Sequence, residues 1–264
     1  MKKTTLLTGA TDGIGLEAAK MFVQDGHILL LHGRNKEKLE KTKETLLSIN
    51  KEAQIYLYQA YFSSLSQVKK MIEEIKENHT TIDVLINNAG IFVVKPEDSF
   101  TQDGLDIRFS VNTVAPYLIT SGLLCLLWDD SRVVNLSSAA QAPLNYQALT
   151  NPNEISDSEA YAQSKLAITM MTMAMSEQYP NGPTFIAVNP KSFLGSKMVK
   201  EAYGQEGFDI QIGADIIYRA SLSSEFQGAS GKYYDNDYQM FDDPHRYAMN
   251  KENRLKLMEY LHQL

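Results

Sequence analysis

Short apolar runs alternate along the chain with longer segments in which apolar residues recur every three or four positions. The runs predict β-strands at residues 4–8, 27–32, 54–60, 82–87, 132–137 and 184–189. The periodic segments predict helices at residues 36–49, 65–78, 102–127 and 159–179, and at Ala18, Ala19, Phe22 and Val23. The run Ile28-Leu29-Leu30-Leu31 is apolar throughout, which suits a strand covered on both faces. The pattern therefore predicts a doubly wound α/β fold around a parallel sheet.

No sequence feature divides the chain into domains. The 264 residues contain no repeat, low-complexity tract or linker rich in Pro, Gly or Ser, so we expect one domain over residues 1–264. Two segments without clear periodicity, residues 139–158 and 191–213, follow the carboxyl ends of predicted strands. Open α/β sheets bind ligands at that edge, so we expect these segments to shape a substrate pocket.

Composition narrows the possible partners and location. With 44% hydrophobic and 22% charged residues the chain is typical of a soluble globular protein, and its net charge of -7 argues against nucleic-acid binding. Cys125, the single cysteine, cannot form an intramolecular disulfide, and no signal-peptide core follows the N-terminal lysines, so we expect a cytoplasmic protein. The longest apolar stretch, residues 117–128, contains polar residues and is too short to cross a bilayer. We therefore expect no membrane span.

A glycine-rich turn joins the first predicted strand to the first predicted helix. Glycines permit a tight turn and close backbone approach, and the helix start directs free amides toward an anion. The turn is therefore a candidate pyrophosphate site, although a glycine-rich turn without a ligand is the alternative. Its candidate cofactor-binding residues are Thr8, Gly9, Thr11, Asp12, Gly13, Ile14 and Gly15.

The end of the second predicted strand bears on the choice of cofactor. An Asp or Glu about 20 residues beyond the glycines usually binds the ribose of NAD, but here the chain reads His32-Gly33-Arg34-Asn35. The guanidinium of Arg34 can pair with a 2′-phosphate. We therefore predict NADP(H) over NAD(H), the alternative being that Arg34 lies at a helix start without a ligand.

Tyr161 and Lys165 are candidates for acid–base chemistry. They are four positions apart in a predicted helix and so share one face. A nearby ammonium stabilises the phenolate and lowers the pKa of a tyrosine, which makes such a pair suited to proton transfer. Ser137 and Ser138 lie at the end of predicted strand 132–137, where a hydroxyl could polarise a carbonyl oxygen. A purely structural Tyr–Lys pair is the alternative.

Two further polar features accompany this pair. The tetrapeptide Asn-Asn-Ala-Gly at residues 87–90 follows another predicted strand at the same edge of the sheet. Asn112 lies inside predicted helix 102–127 among apolar neighbours. Because buried polar side chains are hydrogen-bonded, we expect Asn112 to be buried and bonded.

Taken in order, these elements resemble the short-chain dehydrogenase/reductase family, and its retinol-dehydrogenase-like branch in particular. The matching elements are residues 8–15 and 87–90, Asn112, Ser138, Tyr161 to Lys165, and Asn189-Pro190. The resemblance implies a Rossmann fold and a homo-oligomer. It implies that Tyr161 gives or takes the proton, that Ser138 orients the reacting oxygen, and that Lys165 holds the nicotinamide ribose. Other implied roles are a relay water supported by Asn112 and cofactor contacts from Asn88, Ala89, Gly90, Tyr161, Lys165, Pro190 and Ser196.

The chain departs from the family pattern at two positions. Tyr61 stands where the family usually has an aspartate that contacts the adenine, and Lys191 stands where the family usually has the glycine of Pro-Gly. Glycine there lets the backbone pass close to the nicotinamide. A lysine must place its side chain outward or toward the cofactor phosphates. Tyr61 either packs on the adenine, leaves only backbone contacts to it, or weakens cofactor affinity. Lys191 changes the local geometry without removing a catalytic group.

The sequence predicts no metal site. The five histidines are scattered and form no zinc pattern. Asp235-Asn236-Asp237, followed by Asp242-Asp243, lacks the glycine of a calcium loop. We interpret this segment as a solvated acidic loop.

The leading hypothesis is an NADP(H)-dependent oxidoreductase that interconverts a carbonyl and an alcohol, with Tyr161 as general acid or base. The competing hypothesis is a non-catalytic dinucleotide-binding regulatory protein, prompted by Tyr61 and Lys191. A small, partly apolar substrate is expected from the side chains in the two irregular segments, namely Tyr146, Leu149, Phe193, Leu194 and Met198.

Overall fold

In a computed structural model, which describes residues 2–150, 155–204 and 206–264, the strands join into one sheet. The order is β3-β2-β1-β4-β5-β6-β7-β8, and every neighbouring pair is parallel except β7 with β8. The strand bounds are β1 Thr4–Leu7, β2 Ile28–Gly33, β3 Ile55–Gln59, β4 Ile82–Asn87, β5 Leu127–Leu136, β6 Thr184–Asn189, β7 Lys232–Asp235 and β8 Met240–Asp242. This confirms the predicted doubly wound α/β class.

Helices cover both faces of the sheet. Successive residues of a central strand point to opposite faces and therefore enter two separate hydrophobic cores. The helix bounds are α1 Gly13–Gln24, α2 Lys36–Ile49, α3 Leu65–Asn78, α4 Ile107–Phe109, α5 Ala115–Gly122, α6 Asp157–Gln178, α7 Lys197–Tyr203, α8 Gln211–Leu222, α9 Arg246–Met249 and α10 Lys251–His262. Leu7 belongs to the buried core that includes residues of α1, α2 and α8, whereas its neighbour Leu6 belongs to the core that includes residues of α3, α5, α6 and α10. Central strands such as β2 therefore have no solvent face.

The strand order reverses between β1 and β4, and this determines where a ligand can bind. From β1 the chain continues outward to β2 and β3, and it then returns to place β4 on the other side of β1. The connections leaving β1 and β4 diverge at the carboxyl edge, which opens a crevice between them. The glycine-rich turn follows β1 and the Asn-Asn-Ala-Gly segment follows β4, so both flank that crevice.

The predicted helix over residues 102–127 is wrong at both ends. Helical structure begins at Ile107, where the Asp106 carboxylate caps the helix by accepting from the amides of Arg108 and Phe109, and α5 ends at Gly122. Between α4 and α5 the chain forms a π-helix at Ser110–Val114. Leu127 belongs to β5. Its pairing with Ile82 of β4 overrides the local apolar pattern, which predicts a helix here.

The two segments expected to be irregular are partly helical. Residues 139–158 contain a 3-10 turn at Ala148–Thr150 and the start of α6, and positions 151–154 lie outside the described residues. Residues 191–213 contain α7 and the start of α8, and position 205 lies outside the described residues. The sequence pattern predicts neither strands β7 and β8 nor helices α8, α9 and α10. Across the described residues, no helix has the length and apolar character needed to cross a membrane.

Candidate active site

Hydrogen bonds fasten the glycine-rich turn to the end of β4. The Thr8 hydroxyl donates to the Ile86 carbonyl oxygen at 3.2 Å and accepts from the amides of Asn88 and Ala89, both at 3.0 Å. The side-chain amide of Asn88 donates back to the carbonyl oxygens of Thr8 at 2.9 Å and Gly9 at 3.1 Å. Thr8 and Asn88 therefore shape the turn by holding each other's backbone.

Glycine is required in this turn because backbone segments pass very close to one another. A Cβ built on Gly9, whose φ is +67°, would lie 2.8 Å from the Cα of Ala89. A Cβ on Gly15 would lie 2.4 Å from the Gly9 carbonyl oxygen and 2.5 Å from the Asn88 amide nitrogen. Real side chains cannot occupy either position without moving the backbone.

The first turn of α1 leaves backbone donors available for an anion. The Asp12 carboxylate accepts from the Gly13 amide at 2.8 Å and so caps its own helix. The amides of Ile14 and Gly15 meet no acceptor in the described part of the chain. Free first-turn amides at the positive end of a helix suit a phosphate, so this turn fits the pyrophosphate of a dinucleotide.

Arg34 lies just beyond the end of β2, next to the turn. Its side chain is exposed, and no carboxylate among the described residues pairs with it. Gly33 packs close to the turn, since a Cβ there would lie 2.8 Å from the Thr11 methyl group. Tyr61, at the position of the expected aspartate, is 46% exposed, and its backbone amide donates to Gln67 at 3.0 Å.

His32 connects three parts of the cofactor side, although no sequence motif singles it out. Its Nδ1 accepts from the Gly9 amide at 3.3 Å, and its Nε2 donates to the Ala60 carbonyl oxygen at 3.1 Å. The ring stacks on Phe62 with centroids 3.9 Å apart. Because the ring is buried, the pKa of His32 falls to about 4, so the neutral imidazole holds the turn against the ends of β2 and β3.

Lys165 is buried directly behind Tyr161. Its Nζ donates to the Leu136 carbonyl oxygen at 2.7 Å and lies 5.6 Å from the centre of the Tyr161 ring. A Cβ on Gly90 would lie 3.6 Å from this Nζ, so the tetrapeptide after β4 reaches the same point. Burial lowers the pKa of Lys165 to about 8. Only one of its three donors is used by a protein acceptor in the described residues.

Tyr161 and Ser138 lie at the carboxyl edge of the sheet, both half-buried. The Tyr161 ring packs on Phe92 with centroids 4.5 Å apart. The Ser138 hydroxyl accepts from the Ala140 amide at 3.1 Å. The Ser138 carbonyl oxygen accepts from the Gln141 side-chain amide at 3.0 Å and from the Tyr233 hydroxyl at 3.3 Å. Ser138 is therefore fixed through its backbone, and its hydroxyl hydrogen has no acceptor among the described residues.

The structure separates the two adjacent serines. The Ser137 hydroxyl is buried, donates to the Lys165 carbonyl oxygen at 3.1 Å and contacts the Thr169 hydroxyl at 2.6 Å. Ser137 thus joins β5 to α6 and is committed to that contact. Of the two, only Ser138 can offer its hydroxyl to a ligand.

Asn112 lies in the π-helix, and the expectation that it is buried and hydrogen-bonded is confirmed. Its Oδ1 accepts from the Ile91 amide at 2.9 Å, and its Nδ2 donates to the Ile91 carbonyl oxygen at 3.0 Å and the Ser164 hydroxyl at 2.9 Å. The side chain therefore links the segment after β4 to α6 beside Lys165. Single-turn π segments within helices are frequent at functional sites.

The interpretation of residues 235–237 as a solvated acidic loop is wrong. Asp235 and Asn236 are buried, and the loop binds the turn that follows β6. Asn236 donates to the Pro190 carbonyl oxygen at 3.0 Å, and Asp237 accepts from the Ser192 hydroxyl at 2.6 Å. Sheet pairing of β6 with β7 brings the two segments together. The described residues contain no group of three or more His, Cys, Asp or Glu side chains that could hold a metal ion.

The apolar side chains expected to line a substrate pocket differ in their exposure. Leu149 and Leu194 are buried in the protein, with 0% and 4% exposure. Tyr146 packs on Tyr260 with ring centroids 5.4 Å apart, and Met198 is half-buried in α7. Phe193, beyond the end of β6, is 46% exposed and is therefore the member of this set most open to a ligand.

Ser196 lies at the start of α7, downstream of the turn that follows β6. Its hydroxyl caps the helix by accepting from the Val199 amide at 3.3 Å. The side chain is half-buried. The cap fixes the direction in which α7 leaves the carboxyl edge of the sheet.

The family model for short chain dehydrogenase matches residues 3–207 of the chain. The chain belongs to the short-chain dehydrogenase family. The matched region contains the glycine-rich turn, Asn112, Ser138, Tyr161 and Lys165, and this short-chain dehydrogenase is an oxidoreductase. The acidic loop at residues 235–237 lies outside the match.

Curated relatives confirm the resemblance to the retinol-dehydrogenase-like branch. "Short-chain dehydrogenase TIC 32 B, chloroplastic" of Brassica napus is 28% identical over 255 residues, covering 88% of this chain and 79% of that protein. Mouse retinol dehydrogenase 13 is 27% identical over 253 residues, covering 88% and 75%. The solved NADPH-bound carbonyl reductase from chicken fatty liver has the same fold, with a TM-score of 0.69, 20% identity and coverage of 90% and 98%.

Proposed function

We propose that this short-chain dehydrogenase interconverts a carbonyl and an alcohol with NADP(H), and that Tyr161 transfers the proton. The observation that carries the proposal is the buried ammonium of Lys165, 5.6 Å from the Tyr161 ring and anchored by the Leu136 carbonyl oxygen. A cation held at this distance favours the phenolate over the phenol. Tyr161 is thereby suited to release and regain a proton near neutral pH.

The residues on the cofactor side fit a dinucleotide. The free amides of Ile14 and Gly15 would bind its pyrophosphate, and the remaining Nζ donors of Lys165 would bind the nicotinamide ribose. Ala89 and Gly90 would line the crevice, and Pro190 and Ser196 would border the nicotinamide. When bound, the nicotinamide ring supplies or accepts the hydride.

The protein groups would act together on the substrate oxygen. Ser138 has a hydroxyl hydrogen without a protein acceptor among the described residues, so it would donate to that oxygen and orient it. Tyr161 would donate a proton to the oxygen during reduction and accept it during oxidation. Asn112 would support proton relay by holding the segment after β4 beside α6, since its own side chain is fully engaged.

The proposed preference for NADP(H) over NAD(H) rests on Arg34. Its guanidinium is exposed beside the turn and lacks an ion-pair partner within the described ranges. A planar guanidinium can bind a 2′-phosphate through two parallel hydrogen bonds. The similar carbonyl reductase is described as NADPH-bound, which supports the same choice here.

The proposed substrate is a small, partly apolar carbonyl or alcohol compound. Phe92 packs on Tyr161, and Phe193 and Phe208 are 46% and 55% exposed. A ligand with apolar surface would cover the exposed rings of Phe193 and Phe208. A cytoplasmic location and a homo-oligomer remain our proposals. Helix α6 packs against α10.

Paired titrations of the protein with NADPH and NADH, followed by turnover assays on a panel of aldehydes, ketones and quinones, test the proposal. We expect NADPH to bind more tightly and to be oxidised in the presence of at least one carbonyl class. NADPH binding without turnover of any compound would favour the non-catalytic alternative. Absence of binding to either nucleotide would contradict both.

A further inference from the structure

Lys191 adopts a backbone conformation that lysine normally avoids. Its φ is +121°, in a region that is essentially reserved for glycine and is strained for any residue with a Cβ. It lies in the turn after β6, between Pro190 and Ser192. Such a conformation persists only where the surroundings hold it.

The carboxylate of Asp237 is the main partner of this turn. Its Oδ1 accepts from the Ser192 amide at 3.0 Å, and its Oδ2 accepts from the Ser192 hydroxyl at 2.6 Å and the Asn189 side-chain amide at 2.9 Å. The Lys191 Nζ lies 3.9 Å from Oδ1. Three donors and one cation, all from residues 189–192, therefore surround a single carboxylate.

The residues beside Asp237 complete the arrangement. Asp235 accepts from the Asn189 side-chain amide at 2.8 Å and from the Asp237 backbone amide at 2.9 Å. Asn236 donates to the Pro190 carbonyl oxygen at 3.0 Å. The carboxylate of Asp237 is thus held in place from its own side as well as from the turn.

Asp237 is ionised at neutral pH. Its partial burial raises the pKa, but the hydrogen bonds from Ser192 and Asn189 and the charge of Lys191 outweigh burial and keep the pKa below its ordinary value. Hydrogen bonds to an ionised acceptor are stronger than those between neutral groups. They are the kind of contact that can offset the strain at Lys191.

The same part of the fold touches the proposed catalytic edge. The Ser137 amide donates to the Val188 carbonyl oxygen at 2.8 Å, one residue before Asn189. The hydroxyl of Tyr233, in β7, donates to the Ser138 carbonyl oxygen at 3.3 Å. The strained turn therefore lies next to the segment that carries Ser138.

We propose that Asp237 is a positioning residue that holds the backbone of residues 190–192 in a glycine-like conformation, so that a lysine can stand where the turn must pass close to the cofactor. The part of this inference that concerns the cofactor rests on the proposed function. The interaction between Asp237 and the strained turn does not.

A double-mutant cycle with Asp237→Asn and Lys191→Gly tests the proposal. Asp237→Asn keeps the shape of the side chain and removes its charge. In the background with Lys191 we expect it to weaken NADPH binding roughly tenfold. In the Lys191→Gly background, where the strain at position 191 is relieved, the same change should weaken binding no more than about twofold. Asp243→Asn, which removes an exposed carboxylate nearby, should change neither value.

The melting temperature is measured for the same four proteins. We expect Asp237→Asn to lower it more in the background with Lys191 than in the Lys191→Gly background. Equal losses of both melting temperature and NADPH affinity in the two backgrounds would overturn the proposal. A lower melting temperature with unchanged NADPH affinity would show that Asp237 is structural and would overturn its positioning role.

One further variant and one control measurement separate a failure of this inference from a failure of the proposed function. Ser192→Ala removes one donor to Asp237 and should give a smaller change of the same sign in NADPH affinity and melting temperature. If the unmodified protein binds no NADPH, the proposed function fails. The melting temperatures of the cycle then still decide whether Asp237 holds the strained turn.

Discussion

The Lys165 ammonium lies 5.6 Å from the centre of the Tyr161 ring, one turn away on α6, and donates to the Leu136 carbonyl oxygen at 2.7 Å. This contact joins the helix that carries Tyr161 to the strand that leads to Ser138. Burial without a carboxylate partner lowers the pKa of Lys165 to about 8. The charged form of Lys165 is therefore held beside Tyr161 at the cost of desolvating the ammonium. Such perturbed groups are frequent at catalytic sites.

Tyr161→Phe should abolish proton transfer while leaving the fold intact. We expect turnover of any carbonyl substrate to fall at least about 100-fold, because a positioned acid–base group contributes that much or more. NADPH affinity should change little, since the phenol oxygen is one contact among many. Steady-state rates and a binding titration measure the two effects. Tyr179→Phe, at the other end of α6, is the control and should keep its rate.

Arg34→Gln should change the choice of cofactor. Removing the guanidinium takes away the proposed partner of the 2′-phosphate, so NADPH affinity should fall roughly tenfold or more while NADH affinity stays the same. Lys41→Gln removes an exposed cation from α2 and is the matched control. An equal loss of affinity for NADPH and NADH would contradict the proposal that Arg34 binds the 2′-phosphate.

His32 should make stability depend on pH. Its pKa is about 4 in the folded protein and about 6.5 when unfolded. As pH falls through 6.5 the unfolded chain takes up a proton that the folded protein cannot, so stability is lost progressively down to about pH 4. Between pH 7.5 and 4.5 this contribution amounts to roughly 2–3 kcal/mol.

Urea unfolding at those two pH values measures this contribution in wild type and in His32→Gln. The loss of unfolding free energy on acidification should be smaller in the variant by the amount given above. His262→Gln replaces an exposed histidine of α10 and is the matched control for the substitution itself. If wild type and His32→Gln lost the same unfolding free energy between the two pH values, His32 would not be the cause of the pH dependence.

Gly15→Ala should destabilise the protein through contact alone. The added methyl group would lie 2.4 Å from the Gly9 carbonyl oxygen, and overpacking of this kind costs about 1–3 kcal/mol. Gly104→Ala is the comparison, since its φ is +77° but the added carbon would meet no atom of the described residues within 4 Å beyond its own chain neighbours. That change should cost about 1–2 kcal/mol of backbone strain. NADPH affinity should fall only in Gly15→Ala, as measured by titration of the folded protein.

Local pattern was sufficient for the central sheet. Strands β1 to β4 and β6, and helices α2, α3 and α6, lie close to their predicted bounds, because an apolar run or a helical periodicity encodes each one within a few residues. Strand β5 begins at Leu127, well before its predicted start at residue 132. Pattern failed for β7, β8 and the π-helix at Ser110–Val114. Strands β7 and β8 have only four and three residues, so they are stabilised by pairing with neighbouring strands rather than by their own sequence. A π-helix depends on contacts such as those of Asn112 with Ile91 and Ser164.

The sequence by itself determined the order of the chemical elements: the glycine-rich turn, Asn112, Ser138, and Tyr161 with Lys165. Each of these residues lies within or a few positions from a predicted strand or helix, so its place in the fold can be predicted from the neighbouring sequence. Only the tertiary structure decided which groups hold them. His32 reaches Gly9 across 23 positions, and Asn189 reaches Asp235 across 46. Sheet pairing creates these contacts, since parallel strands bring together residues that no sequence period connects.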